Sequence, residues 1–304
     1  MKRIVIFIFL LLAGLDFNEL SAQGTKYKLV WEENFDQKSL DTSVWNIEIV
    51  SNPANKEMQY YVEEAVELGE DPKSGESSLI ITVQKKKYKH RHFTSGRLNS
   101  IGKLSFRYGR VDARIKMPKT GNGLWPAFWM KGADNDSIPW PMCGELDIIE
   151  LGHVDGIKRG ISDRYLGAAC HWGPNLSINY SESQKKTIQY SIQHDEYHIY
   201  TLIWDETCIK IYVDLDKYPD AEPYYRFCYA DNCQKAATFY RKPYSFILNL
   251  AVGGGYTGIT GNDNVDKITA LNEENNLEAK MYIDYIRIYQ TGNSHEELHI
   301  PPTK

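Results

Sequence analysis

Residues 144–150 read GELDIIE, three carboxylates set among apolar side chains that suit a buried strand. Carboxylates in such a strand are costly unless they are paired, hydrogen-bonded or used. Glu145 and Asp147 are two apart and share one face of a regular strand, whereas Glu150, five from Glu145, points to the other. One extra residue, a β-bulge near Ile148 and Ile149, restores Glu150 to the face of the other two. The stretch therefore predicts a bulged strand that carries three carboxylates on one surface.

The rest of the chain reads in the same way. SLIITVQ (78–84), GRVDARIKM (109–117), HIYTLIW (198–204), CIKIYVD (208–214), SFILNLAV (245–252) and MYIDYIRIYQ (281–290) are rich in Ile, Val, Tyr and Thr, and many alternate. Turn chemistry separates them in KTGNG, DLDKYPD and GGGYTG. A helical period is visible only in DKITALNEENN (266–276), which is short and polar. Many strands and few helices predict an all-β chain, two antiparallel sheets packed as a sandwich or jelly roll.

The chain has 304 residues and a net charge of -5, which gives no electrostatic reason to expect nucleic acid. It opens with a basic pair, Lys2 and Arg3, then an apolar run from Ile4 to about Leu15, too short for a comfortable membrane span. Residues 1–22 are expected to be a secretory signal peptide, and the protein to be exported, periplasmic or secreted. Residues 23–290 are expected to form a single domain and 291–304 a loose polar tail. Five cysteines, Cys143, Cys170, Cys208, Cys228 and Cys233, leave one unpaired within a single chain. Cys228 and Cys233 lie close enough to close a small loop; alternatively all five serve as small apolar residues. Zinc-type spacing is absent.

With the bulge, Glu145 and Glu150 are four strand positions apart, roughly 13 Å between Cα atoms. Two glutamates leaning together can close that to about 5 Å, the separation of a retaining glycosidase pair. Asp147 between them keeps like charges close and helps hold one glutamate protonated near neutral pH. Clustered carboxylates also bind calcium, but such sites come from loops with backbone carbonyls rather than from an apolar strand.

ELDIIE resembles the catalytic signature of glycoside hydrolase family 16 in its β-bulge, laminarinase-like form. TSGRLNS, YGRVDARIKMP, GLWPAFWM, WPMCGELDIIE, ACHWG, YHIYTLIWD, FILNLAVGG and MYIDYIRIYQ follow in the order such an enzyme shows, from Leu29 to Gln290. The resemblance implies a curved β-jelly roll with a sugar cleft on its concave face. It implies Glu145 as nucleophile, Glu150 as general acid/base and Asp147 as the residue that orients the nucleophile. The reaction implied is endo-hydrolysis of β-1,3-glucan, with mixed-linkage β-1,3-1,4-glucan or an algal galactan as alternatives. No cofactor is implied for catalysis, and the chain is expected to act as a monomer on a polysaccharide. A glycan-binding jelly roll without activity should have lost a catalytic carboxylate; Glu145 and Glu150 are both present.

Other residues take their expected roles from the same resemblance. Trp125 and Trp129, four apart, can share a face and stack on sugars. Trp140 either packs under the strand or walls the cleft. His171 and Trp172 are expected beside the catalytic subsite, and Arg97 at sugar hydroxyls. Asn55 and Glu57 match an NNELQYY-type segment in which Lys56 replaces the second Asn. A structural Ca2+ would use Asp284, with Asn34 standing where relatives have an acidic ligand. Tyr256 stands where a Trp is common. The basic run QKKKYKHRH is read as a solvated hairpin turn.

Overall fold

The computed structural model describes residues 19–22, 25–229 and 234–300. Alternating apolar residues fold them into two stacked sheets. One has nine strands and runs, along its main path, through Ile178–Thr187, Tyr165–Asn175, Glu145–Glu150, Leu124–Gly132, Tyr244–Val252, Arg97–Asn99 and Asn46–Ile47. The other has eleven strands, with Gly109–Lys116 and Glu278–Gln290 near its middle. All pairings are antiparallel except that of Gln59–Tyr61 with Phe93–Ser95. The result is the predicted β-jelly-roll sandwich.

Period-two alternation decides what each strand buries. In Leu124–Gly132, Leu124, Phe128 and Met130 enter the core between the sheets, while Trp125, Trp129 and Lys131 remain partly exposed. Phe106, Phe246, Trp204 and Tyr244 join the core across the sandwich, with Trp204 edge-on to both Phe106 and Tyr244. Leu146, Ile148 and Ile149 are fully buried and fix the carboxylate strand to this core. Each such side chain contributes about 1.5–3 kcal/mol, enough to hold a strand that also carries charge.

Gly144 explains how that strand begins. Its φ is +76°, a conformation that L side chains rarely adopt, and a Cβ there would lie 2.0 Å from the Tyr244 hydroxyl. Gly167, registered opposite Glu150, serves by close approach instead: a Cβ there would lie 2.1 Å from the Tyr256 hydroxyl.

Several expectations change. Cys228 pairs with Cys208, as cross-strand neighbours joined by a disulfide, and not with Cys233, which lies outside the described residues. Strand register overrides closeness in sequence. The C-terminal segment is not loose as far as residue 300: Glu297–His299 pairs with Ser105–Arg107, and Arg107 meets Glu297 at 2.6 Å. Residues 301–304 lie outside the described part, as do 1–18 of the expected signal peptide and 23–24 just after it; Glu19–Ala22 pairs with Thr25–Lys28. The DKITALNEENN stretch makes only 3-10 turns, Asn262–Lys267 and Glu273–Asn275. Among the described residues, no helix is long and apolar enough to cross a membrane.

The disulfide ties two strands that are 20 residues apart in sequence. Replacing both cysteines by alanine is expected to lower stability by about 2–4 kcal/mol. The measurement is a drop in the denaturant midpoint at unchanged slope; an unchanged midpoint would show that strand pairing alone holds this edge.

Candidate active site

The register shows the bulge directly. On one side of the carboxylate strand, Asp147 pairs with Trp129 and Ile149 with Phe128; on the other, Asp147 pairs with Ala169 and Glu150 with Gly167. Ile148 is the extra residue. Glu145, Asp147 and Glu150 consequently line one cleft of about 840 Å³. Trp125, Trp129, Arg97 and Asn249 line it from the neighbouring strands, His171 and Lys185 from the other side, and Asn55, Lys56, Glu57, Trp140 and Tyr256 from loops and turns.

Three tyrosine hydroxyls hold the backbone of this strand. Tyr224, buried beside the eleven-stranded sheet, donates to the carbonyl of Ile148 at the bulge. Tyr240 reaches the carbonyls of Glu145 and His171 at 3.1 and 3.0 Å. Tyr256 donates to the carbonyl of Glu150 at 3.3 Å. Burial raises the pKa of all three phenols, so they stay protonated donors.

The side chains are oriented as well. The Trp125 indole donates to Glu150 Oε1 at 2.9 Å and stacks on Tyr256, centroids 4.9 Å apart and planes within 9°. The Trp129 indole donates to Asn249 Oδ1 at 2.7 Å, and its ring has Arg97 and Lys131 each 5.1 Å from its centre. Arg97 is ion-paired with Glu48 at 3.0 Å and also lines the cleft. His171 Nε2 lies 3.6 Å from Asp147 Oδ2, and burial lowers its pKa, favouring the neutral ring. Glu57 is buried on Gln59 and Tyr61, and burial raises its pKa.

Burial dominates the electrostatics of the three carboxylates. It pushes Glu145 up to about 7, with Glu150 adding to the rise and Lys131, Arg97 and Trp140 opposing it. Asp147 is raised well above the ordinary range, by burial and then by both glutamates. Glu150 is raised by burial, against the pull of Lys185 and the Trp125 hydrogen bond. The cluster therefore retains protons near neutral pH, and its titration belongs to the set rather than to any one member.

Some expected site residues fall elsewhere. Trp172 faces the core, 6% exposed and stacked on Phe227 at 5.3 Å, because strand alternation sends it opposite to His171. The calcium donors do not assemble: the Arg114 guanidinium occupies the carboxylate of Asp284, and the Asn34 amide oxygen faces Arg287. A cation already sits where a second one would have to bind. Among the described residues one group has metal-like closeness, Glu145, Asp147 and His171 within 4.8 Å, and it is the cleft cluster itself. The basic run forms the expected turn, with Tyr88 bridged to Arg91.

Tyr224, Tyr240, Asn249, Lys131 and Lys185 were not anticipated. Asn249, a lone amide in the apolar run FILNLAV, carried a readable signal, as did Lys131 two after Trp129. Lys185 carried none, since Ile178–Thr187 is polar along most of its length.

Paired acidic groups that burial keeps partly protonated, on the floor of an aromatic-walled cleft, define a carbohydrate-cleaving centre. The profile of Glycosyl hydrolases family 16 matches residues 59–225. The chain is 30% identical over 278 residues to Glucan endo-1,3-beta-glucosidase A1 of Niallia circulans, covering 86% of this chain and 38% of that relative. It is 28% identical to the Beta-glucanase of Rhodothermus marinus, with 95% of each chain covered. Among solved structures, the mixed linkage glucan GH16 of Bacteroides ovatus, in complex with a G4G4G3G product, superimposes with a TM-score of 0.74 at 35% identity. That match covers 86% of this chain and 100% of the other. The chain belongs to glycoside hydrolase family 16.

Two outcomes are expected. Tyr224→Phe leaves the bulge carbonyl without its donor and should cost about 1–3 kcal/mol of stability, with a fall in kcat that exceeds any change in KM. Glu145→Gln removes a carboxylate whose folded pKa lies above its ordinary value of 4.5. Such a group weakens folding progressively as pH rises from the unfolded to the folded pKa, and the penalty is complete above the latter. The variant should therefore melt higher than the parent at pH about 8, by on the order of 1–3 kcal/mol, and equally at pH about 4. Equal melting at both pH values would show that burial does not strain this carboxylate.

Proposed function

We propose that the protein is a retaining endo-glycosidase of β-1,3-glucan, acting also on mixed-linkage β-1,3-1,4-glucan. The observation that carries this reading is the bulge at Ile148, which turns Glu145, Asp147 and Glu150 into the floor of one cleft. The relatives named for 1,3-glucan and the structure named for mixed-linkage glucan support the choice of polymer. The disulfide supports export to an oxidising compartment.

In the first step Glu145 attacks the anomeric carbon and forms a glycosyl ester, while the glycosidic C–O bond breaks and Glu150 gives its proton to the leaving oxygen. Water then adds to the anomeric carbon, Glu150 takes its proton, and the ester releases Glu145. Lys131 and Arg97 favour the charged form that Glu145 needs for attack. Trp125 fixes Glu150 through its indole, and Asp147 lies between the two glutamates with His171 beside it. Pyranose rings would stack on the exposed aromatic faces.

Reducing-end release should be seen on laminarin and barley mixed-linkage glucan, and little on agarose or porphyran. Glu145→Ala should lower it by at least about 10³-fold in a folded protein. NMR of the first product should show the β-anomer. An α-anomer would end the retaining assignment, and activity confined to the galactans would end the glucan assignment.

A further inference from the structure

Tyr218 is the most exposed aromatic residue among those described, at 51%, and the cleft does not use it. It sits in the DLDKYPD turn, its amide donating to the Asp214 carbonyl at 2.8 Å and its carbonyl accepting from the Ala221 amide at 3.0 Å. Its ring packs on Tyr190, centroids 5.6 Å apart, and Tyr190 in turn stacks on His198 at 6.0 Å with planes within 27°. Exposure falls along this stack: Tyr190 is half-buried and His198 buried. Beneath it, Asp214 accepts from His198 Nδ1 at 2.7 Å and from the Ile199 amide at 3.1 Å. The outermost ring is therefore braced from inside, with its outer side left to solvent.

The three rings line a cavity of about 490 Å³ that shares no lining residue with the catalytic cleft. The outer strand Ile178–Thr187 leads from one to the other. Ser183 and Lys185 line the cleft; Gln189 and Tyr190 line the cavity four and five residues past Lys185, at most about 17 Å of extended chain.

The wall of the cavity selects its ligand. Asp163, Glu196 and Asp214 set three carboxylates against two permanent cations, Arg164 and Lys217. Arg164 is already paired with Asp163 at 3.3 Å, and Lys217 lies 3.8 Å from Asp214. A wall of this balance does not attract an anion. Nor does it gather metal donors: among the described residues, the cleft cluster alone has that closeness. A neutral sugar suits it, because hydroxyls donate to carboxylates while the apolar face of a pyranose lies on an aromatic ring. His198 adds a polar atom that lacks a partner, since its Nε2 is buried and bonds to nothing among the described residues. A hydroxyl that reaches the cavity floor supplies that partner.

We propose that this cavity is a second glycan site, in which a pyranose of a neutral β-glucan stacks on Tyr218 while another stretch of the same polymer occupies the cleft. The polymer is then held at two points, and its effective concentration at the cleft rises without any new contact to the reacting sugars. The identity of the glycan rests on the glycosidase reading; the site itself rests on the ring stack and the cavity.

The test uses Tyr218→Ala, which removes the outer ring, and Tyr218→Trp, which keeps one. Kinetics are measured on laminarin, on barley mixed-linkage glucan and on laminaritetraose, which is too short to span both sites. On the polymers Tyr218→Ala should raise KM at least about threefold with kcat unchanged, the loss of one stacked sugar, and Tyr218→Trp should restore it. On laminaritetraose all three proteins should agree in kcat/KM within about 1.5-fold. Affinity electrophoresis in the Glu145→Gln background should give the same order, with Tyr218→Ala the least retarded by polymer. Equal polymer KM in the parent and Tyr218→Ala overturns the proposal. So does an equal loss on polymer and tetraose, which places the effect in the cleft or the fold. If the parent cleaves neither polymer, retention separates the readings. Retardation that falls with Tyr218→Ala then overturns the glycosidase reading alone; retardation that Tyr218→Ala leaves unchanged, or none, overturns both.

Discussion

Ile148 has no ladder partner of its own, and the hydroxyl of Tyr224 holds its carbonyl from the far side of the core. The arrangement of the cleft depends on that contact. Without the extra residue Glu150 would turn inward, burying a charge among Leu146, Phe128 and their neighbours, and the cleft would keep two carboxylates instead of three. The bulge solves a problem of side-chain direction and creates one of hydrogen bonding, which a buried phenol answers. Tyr240 and Tyr256 repeat the device at Glu145 and Glu150. Both ends and the kink of the strand are thus fixed by donors that approach across the strand rather than along it.

The same burial that fixes the strand sets its chemistry. Three carboxylates in a water-poor floor resist ionising together, so protons stay in the cluster at pH values where isolated carboxyls have lost them. A general acid needs that proton and a nucleophile needs its absence. The surroundings separate the two glutamates: Glu145 has Lys131 and Arg97 near it, while Glu150 has Lys185 and one indole donor. The arrangement weakens folding at neutral pH, a cost that the buried Ile and Leu side chains of the same strand offset.

How much of this was legible follows from what kind of signal each feature leaves. The bulge was readable because three carboxylates at i, i+2 and i+5 break a period that apolar strands obey. The sandwich was readable from repeated alternation. Trp172 was misplaced because motif resemblance ignored that same alternation, which His171 alone satisfies at the cleft. Of the two readings open for the cysteines, neither reaches the Cys208–Cys228 pair, because closeness in sequence says little about register and Cys208 is the cross-strand neighbour of Cys228. Tyr224 and Tyr240 left no signal, because a tyrosine whose ring belongs to the core shows nothing in sequence of where its hydroxyl reaches. Asp284 kept the expected residue type, yet Arg114, from the neighbouring strand Gly109–Lys116, takes its carboxylate.

The aromatic residues show how fold and charge meet in the cleft. Trp125 and Trp129 both line it as expected, but neither is a bare platform. Trp125 is stacked on Tyr256 and tied to Glu150; Trp129 is tied to Asn249 and flanked by Arg97 and Lys131. Each ring is fixed by its own polar atom before any sugar arrives, which lowers the entropy lost on binding. Each is also paired with a cation, directly for Trp129 and through Tyr256 and Lys185 for Trp125. A cleft built this way presents its apolar faces and its charges in one fixed pattern, set by contacts made within the chain.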